Sequence, residues 1–143
     1  MKTTIVSLFL PLATSCFAED IALNIRTCTG FANPDEFVRV TATAKSLARP
    51  KVMDGVSYFS PRESLRFDGL PVQAVFGFDA HADRKVFPGS RVGTQPPNMF
   101  GVTVEATEAA GALIIQHSAA HSERSLVVQR NGHEYVDVFC YSK

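Results

Sequence analysis

Residues 125–141 read SLVVQRNGHEYVDVFCY: two apolar runs flank Asn131-Gly132. Asn-Gly between alternating hydrophobic segments is the strongest short-range signal for a β-hairpin, because both central residues of the favoured turn take positive φ. A two-residue turn would pair Arg130 with His133, Val128 with Tyr135 and Leu126 with Asp137. The opposite face would then carry Val127, Val136, Val138 and Cys140. Apolar residues on both faces place this hairpin inside a sheet or under a covering layer. The chain therefore ends in a core strand, and that strand carries a cysteine three residues before the last residue.

The compartment follows from the other end of the chain. The opening MKTTIVSLFLPLATSCFAED has a positive residue at Lys2, an apolar run over residues 5–13, and small residues at Cys16 and Ala18. That order is expected of a signal peptide cleaved after Ala18, and the run is too short to span a bilayer. Residues 1–18 are thus read as a targeting segment and 19–143 as a single globular domain with no transmembrane segment. A lipid anchor at Cys16 fits poorly, since Leu12 sits one residue too early for a lipobox. With Cys16 removed, Cys28 and Cys140 remain, and an even pair in an oxidising compartment reads as a disulfide. The destination is the periplasm or the exterior.

Upstream, Asn33-Pro34-Asp35-Glu36 is a helix start. Asn33 caps, Pro34 suits the first helical position, and Glu36 sits three after the cap. Phe37, Val40, Ala44 and Leu47 follow at helical spacing, and Pro50 is the expected stop. Ile21, Leu23 and Ile25 alternate as a short strand before Cys28. Residues 56–59 read as a strand, and Ser60-Pro61-Arg62-Glu63 as the start of one or two helical turns reaching Phe67. Asp68-Gly69 is a turn. Leu70, Val72, Ala74, Phe76 and Phe78 alternate along the next strand, and Phe100, Val102, Val104 and Ala106 along another. TEAAG at 107–111 reads as a turn, and ALIIQHS at 112–118 as a returning strand. The expected fold is α+β: one N-terminal helix packed on a curved antiparallel sheet of about five strands, tied by one disulfide.

Composition narrows the function classes. Once Lys2 leaves with the signal segment, 13 basic residues face 14 acidic ones, with no basic block to attract nucleic acid. Eleven Phe and no Trp make a core-building set of aromatics. No nucleophile elbow and no phosphate-binding glycine loop is present.

The titratable residues offer two clusters. Asp79-Ala80-His81-Ala82-Asp83 would put its polar side chains on one face if it were a strand, and His117 and His121 stand four apart. Convergence of His81, His117 and His121, with Asp79 or Asp83, would make a zinc or copper site. His133 and Glu134 beside the hairpin turn read as solvent-facing. The long Gly/Pro-rich connection at 87–98 offers Arg91 and Gln95 to a partner. The Phe-rich face of residues 70–78 is either core or the lining of a small-ligand cavity. The leading expectation is a small exported, non-catalytic binding protein of the inhibitor, immunity or envelope accessory kind, with a protein partner or small ligand. The alternative is a periplasmic metal-binding protein or metalloenzyme.

Overall fold

The computed structural model describes residues 19–21, 27–44, 46–88, 94–125 and 132–142. Residues 1–18, read above as a targeting segment, with Cys16 among them, and Leu23, Ile25, Arg91 and residues 126–131 lie outside these. Among the described residues, eight strands and two helices follow in order: β1 Glu19–Asp20, α1 Pro34–Ala44, β2 Lys51–Met53, β3 Val56–Phe59, β4 Leu65–Phe67, β5 Leu70–Phe78, β6 Met99–Glu105, α2 Glu108–Ile114, β7 His121–Arg124 and β8 Tyr135–Tyr141. The class is α+β, with more strands and one more helix than the sequence suggested. The sheet runs β1-β4-β5-β6-β8-β7, and β3, with β2 beyond it, joins β5 next to β4. Every described strand pairing is antiparallel except β1 with β4.

Helix α1 begins where its capping residues require. The Glu36 amide donates to Asn33 Oδ1 at 2.8 Å, and the Glu36 carboxylate reaches back to the Ala32 amide at 2.5 Å. One first-turn donor that lacks a helical partner, and the amide just before the cap, are thus satisfied. Its buried stripe is Pro34, Phe37, Val38 and Thr41, so the expected stripe through Val40 is corrected: Val40 is half exposed. Thr41 tolerates the interior because its hydroxyl donates to the Phe37 carbonyl at 2.8 Å. The helix stops at Ala44, well before Pro50, and Leu47 reaches the core from a bridge to Pro61 instead.

Two Asp-Gly turns make tight hairpins. Asp54-Gly55 joins β2 to β3 and Asp68-Gly69 joins β4 to β5, with positive φ at all four residues. Asp tolerates that region through its short polar side chain and Gly through having none. The first of these hairpins was not expected. Residues 60–67, expected to be helical, instead lead by bends into β4, because Leu65 and Phe67 alternate and are both buried.

Strand β5 does not keep one face. Val72 opposes Val104 and Ala74 opposes Thr103, leaving Gln73 as an extra residue. This β-bulge bends the strand and switches its faces. Val72 and Val75 therefore join the core beneath the helices, whereas Ala74, Phe76 and Phe78 join a second core on the opposite face. The expected single alternation from Leu70 to Phe78 is corrected accordingly, and these buried rings are core rather than a cavity lining.

The first core holds Phe37, Phe100, Val102, Val104, Val136, Val138 and Cys140. Helix α1 packs on β5 and β6, and α2 packs on β7 and β8. Helix α2 replaces the turn and returning strand expected at 107–118. Thr107 caps it by accepting from the Ala110 amide at 3.2 Å. Gly111 sets its approach, since a Cβ there would lie 2.5 Å from a Val136 methyl. On the second face Gly101 stands between Phe76 and Phe139 in register, whose ring centroids lie 6.3 Å apart. A Cβ at Gly101 would meet the Val138 carbonyl at 2.3 Å.

The final hairpin is also corrected. The partner of β8 is His121–Arg124, with Glu123 opposite Asp137, so the register is three residues away from a two-residue Asn-Gly turn. The Ser125 amide donates to the Tyr135 carbonyl, and Gly132 retains positive φ in the connection. Strand β8 lies between β6 and β7 with both faces buried, as its sequence requires.

Candidate functional site

The antiparallel order gathers the end of β5, the start of β6, the start of β7 and the end of β8 at one end of the sheet. The disulfide closes that end. Cys28 and Cys140 are bonded, with Cα atoms 5.5 Å apart. Cys140 sits opposite Phe100 in register, so the bond straps residues 27–32 across the strand ends. This confirms the pairing expected from the cysteine count.

A cleft of about 400 Å³ opens beside the bond, lined by Thr27, Thr29, Phe31, Phe100, Tyr141 and Ser142 among others. Its described walls carry hydroxyls and rings and no charge. Phe31 is fixed edge-on against Phe37 and Phe100, at centroid distances of 5.1 and 5.9 Å. Tyr141 is 48 % exposed and its ring contacts those of Phe139 and His121. The connection after β5 ends at the same place. Phe87 is buried against Gly77 and Phe59, and Asn98 accepts from the Ala80 amide through its side chain and from the Ser142 amide through its carbonyl. Both ends of the 87–98 connection are thereby anchored, and Gln95 within it is exposed.

The other sequence candidates take structural places. Strand β5 stops at Phe78, so residues 79–83 form turns and not a strand with a shared polar face. The Asp79 carboxylate accepts from the His81 amide and the Asp83 carboxylate from the Lys85 amide, each at 2.9 Å. These are the local bonds that favour Asp in turns. The His81 ring projects into solvent. His117 takes positive φ in the turn after α2, and His121 lies on β7 stacked on Phe139. Among the described residues no three His, Cys, Asp or Glu side chains gather to hold an ion, so His81, His117 and His121 are not brought together as a zinc or copper site. At the far end of the sheet, His133 Nδ1 lies 2.5 Å from Glu105 Oε1, over a shallower cleft.

One polar cluster was not anticipated. Asp137 on β8 is buried on the second face, where Oδ1 accepts from Thr103 Oγ1 at 2.5 Å and Oδ2 from Tyr58 Oη at 3.4 Å. Burial pushes its carboxyl up to about 6, against the pull of the Thr103, Ser125 and Tyr58 hydroxyls. Burial also raises Tyr58, with the Asp137 charge adding to it. The sequence held one hint of this cluster, an acid inside the apolar run VDVF. For Tyr141 and Phe31 the only signal was their closeness to the two cysteines.

Set against known protein families, curated proteins and solved structures, the chain matches none. Among the described residues no helix is long and apolar enough to cross a membrane.

Proposed function

We propose that the protein is an exported, non-catalytic binding domain that takes its partner at the disulfide end of the sheet. The observation that carries this reading is the cleft beside Cys28–Cys140, where the half-exposed Tyr141 faces a wall fixed by a covalent strap. A rigid aromatic anchor with hydroxyl groups around it suits recognition, because little conformational freedom is lost on contact. The connection at 87–98, whose two ends are anchored at this end of the sheet, supplies the exposed Gln95, and Arg91 belongs to the same connection. The perturbed acid Asp137 is 2 % exposed, which suits a role within the fold and not contact with a substrate. Export rests on the signal-like residues 1–18 and on a disulfide that an oxidising periplasm or exterior would preserve.

Site-specific photo-crosslinking in the exporting cell tests this. A photoreactive residue at 141 or 95 is expected to give a discrete adduct, and one at the exposed Leu113 or Val52 none. With the probe at 141, deleting residues 89–97 is expected to abolish the adduct, and with the probe at 95, Tyr141→Ala is expected to do so, while far-UV circular dichroism and the melting midpoint hold. Adducts that form equally at the control positions, or that survive both changes, would move the binding surface elsewhere.

A further inference from the structure

Asp137 occupies an unusual place for a carboxylate. It lies in an interior strand, on the face where Phe76, Phe78, Met99 and Phe139 build the second core. Its hydrogen bonds draw on separate elements: Thr103 from β6, Ser125 from the end of β7, and Tyr58 from β3. The Tyr58 bond crosses β5 and β6, so it ties two strands that are not neighbours. Tyr58 lies against Phe76, with ring centroids 5.0 Å apart, so its ring forms part of the roof of this core. We propose that the Tyr58–Thr103–Asp137 cluster is a proton-operated clasp, holding the second face of the sheet shut in acid and loosening it to water as the carboxyl ionises.

Among the described residues the cation on this face is Lys51, in register with Tyr58 on β2, with β3, β5 and β6 between it and Asp137, so no countercharge stands beside the carboxyl itself. From β7, Glu123 stands directly opposite Asp137 and adds repulsion, while His121 on the same strand is stacked on Phe139. From β6, Glu105 shares the Thr103 face and is held by His133. Tyr135 shares the face on β8 itself, and Asp54 from the β2–β3 turn acts on Tyr58. Arg124 alternates onto the opposite face of β7. Thr103 and Tyr58 are neutral donors, so an ionised Asp137 is held by hydroxyls alone in an apolar setting, where an unpaired charge is costly. Water entry then lowers the energy of the ionised state. The Tyr58 bond, at 3.4 Å against 2.5 Å for Thr103, is the longer of these two and is the one expected to part.

The sign follows from the raised carboxyl. The folded state holds the proton more tightly than the unfolded chain, so the stabilisation is complete below about pH 4, the ordinary carboxyl range. It is lost as pH rises through about 6.

Native-state hydrogen exchange at pH 5 and pH 7.5, corrected for intrinsic rates, is the test. Protection of the β6 and β8 amides around Thr103 and Asp137 is expected to fall about tenfold or more in the parent chain, one pH unit of linkage corresponding to tenfold. Asp137→Asn, which removes the charge, keeps an acceptor for one hydroxyl and offers the other hydroxyl oxygen an amide donor, is expected to remove that fall. An unchanged fall in Asp137→Asn, or pH-independent protection in the parent, overturns the clasp. If the variant does not fold, the carboxyl ¹³C titration of the parent decides. An apparent pKa near 6 supports the proposal, and one in the ordinary carboxylate range overturns it.

Discussion

Removing the Cys28–Cys140 bond, as Cys28→Ser with Cys140→Ala, is expected to lower the unfolding free energy by about 4–5 kcal/mol, the loop-closure value for a loop near 110 residues. The bond links residues 112 apart, so it restrains nearly the whole unfolded chain. Such a loss is a large part of the roughly 5–15 kcal/mol that holds a typical domain together. With a urea slope of about 1–3 kcal/mol/M, the midpoint falls by roughly 1.3–5 M. Alanine at 140 avoids a polar group at a fully buried site. The effect also has a local part. Residues 27–32 lose their strap to β8, and the cleft loses a wall. Urea denaturation of the unreduced parent and the double variant checks this, and a midpoint shift under about 0.5 M would show that the bond does not restrain the chain.

Phe37→Ala is expected to cost about 3–5 kcal/mol, the range for truncating a fully buried aromatic side chain. Phe37 has no exposed surface and meets Phe31 and Phe100, each at a centroid distance of 5.1 Å. It is the largest side chain in the buried stripe of α1, so its loss opens a void between two layers. The same ring backs Phe31, which walls the cleft, so capture at 141 is expected to weaken along with stability. Phe37→Leu keeps most of the volume and is expected to cost less than half as much. Equilibrium denaturation of the two variants checks the order. An alanine variant within about 1 kcal/mol of the parent would mean that α1 is held by something other than this ring.

What the sequence disclosed was local. Asn33, Pro34 and Glu36 announce α1 because capping is a bond between a side chain and a nearby amide, written in consecutive residues. Asp68-Gly69 is legible for the same reason, and Asp54-Gly55 carried the same signal unread. Cys28–Cys140 was legible by counting, given an exported chain. Long-range choices were not legible. The bulge at Gln73 reverses the faces of β5 without changing its alternating text. Helix α2 reads as a strand because of Ile114 and Ile115, yet Thr107 caps it and Gly111 seats it on Val136, a residue from a distant part of the sequence. The partner of β8 begins at His121 because the packing of α2 delivers the chain there, and no turn residue records that. Functional residues were the least legible. Tyr141 gains its setting from Cys28, and Asp137 gains its partners from three other elements.

The reading as a whole depends on an exported chain whose two remaining cysteines are bonded. The direct test is an intact mass of the protein recovered from the exporting cell, with thiols unreduced and no chelator added. The account predicts a chain beginning at Glu19, lighter by two hydrogens than its reduced form, with no bound ion. A full-length chain, or a species with Cys28 and Cys140 both free, would contradict it.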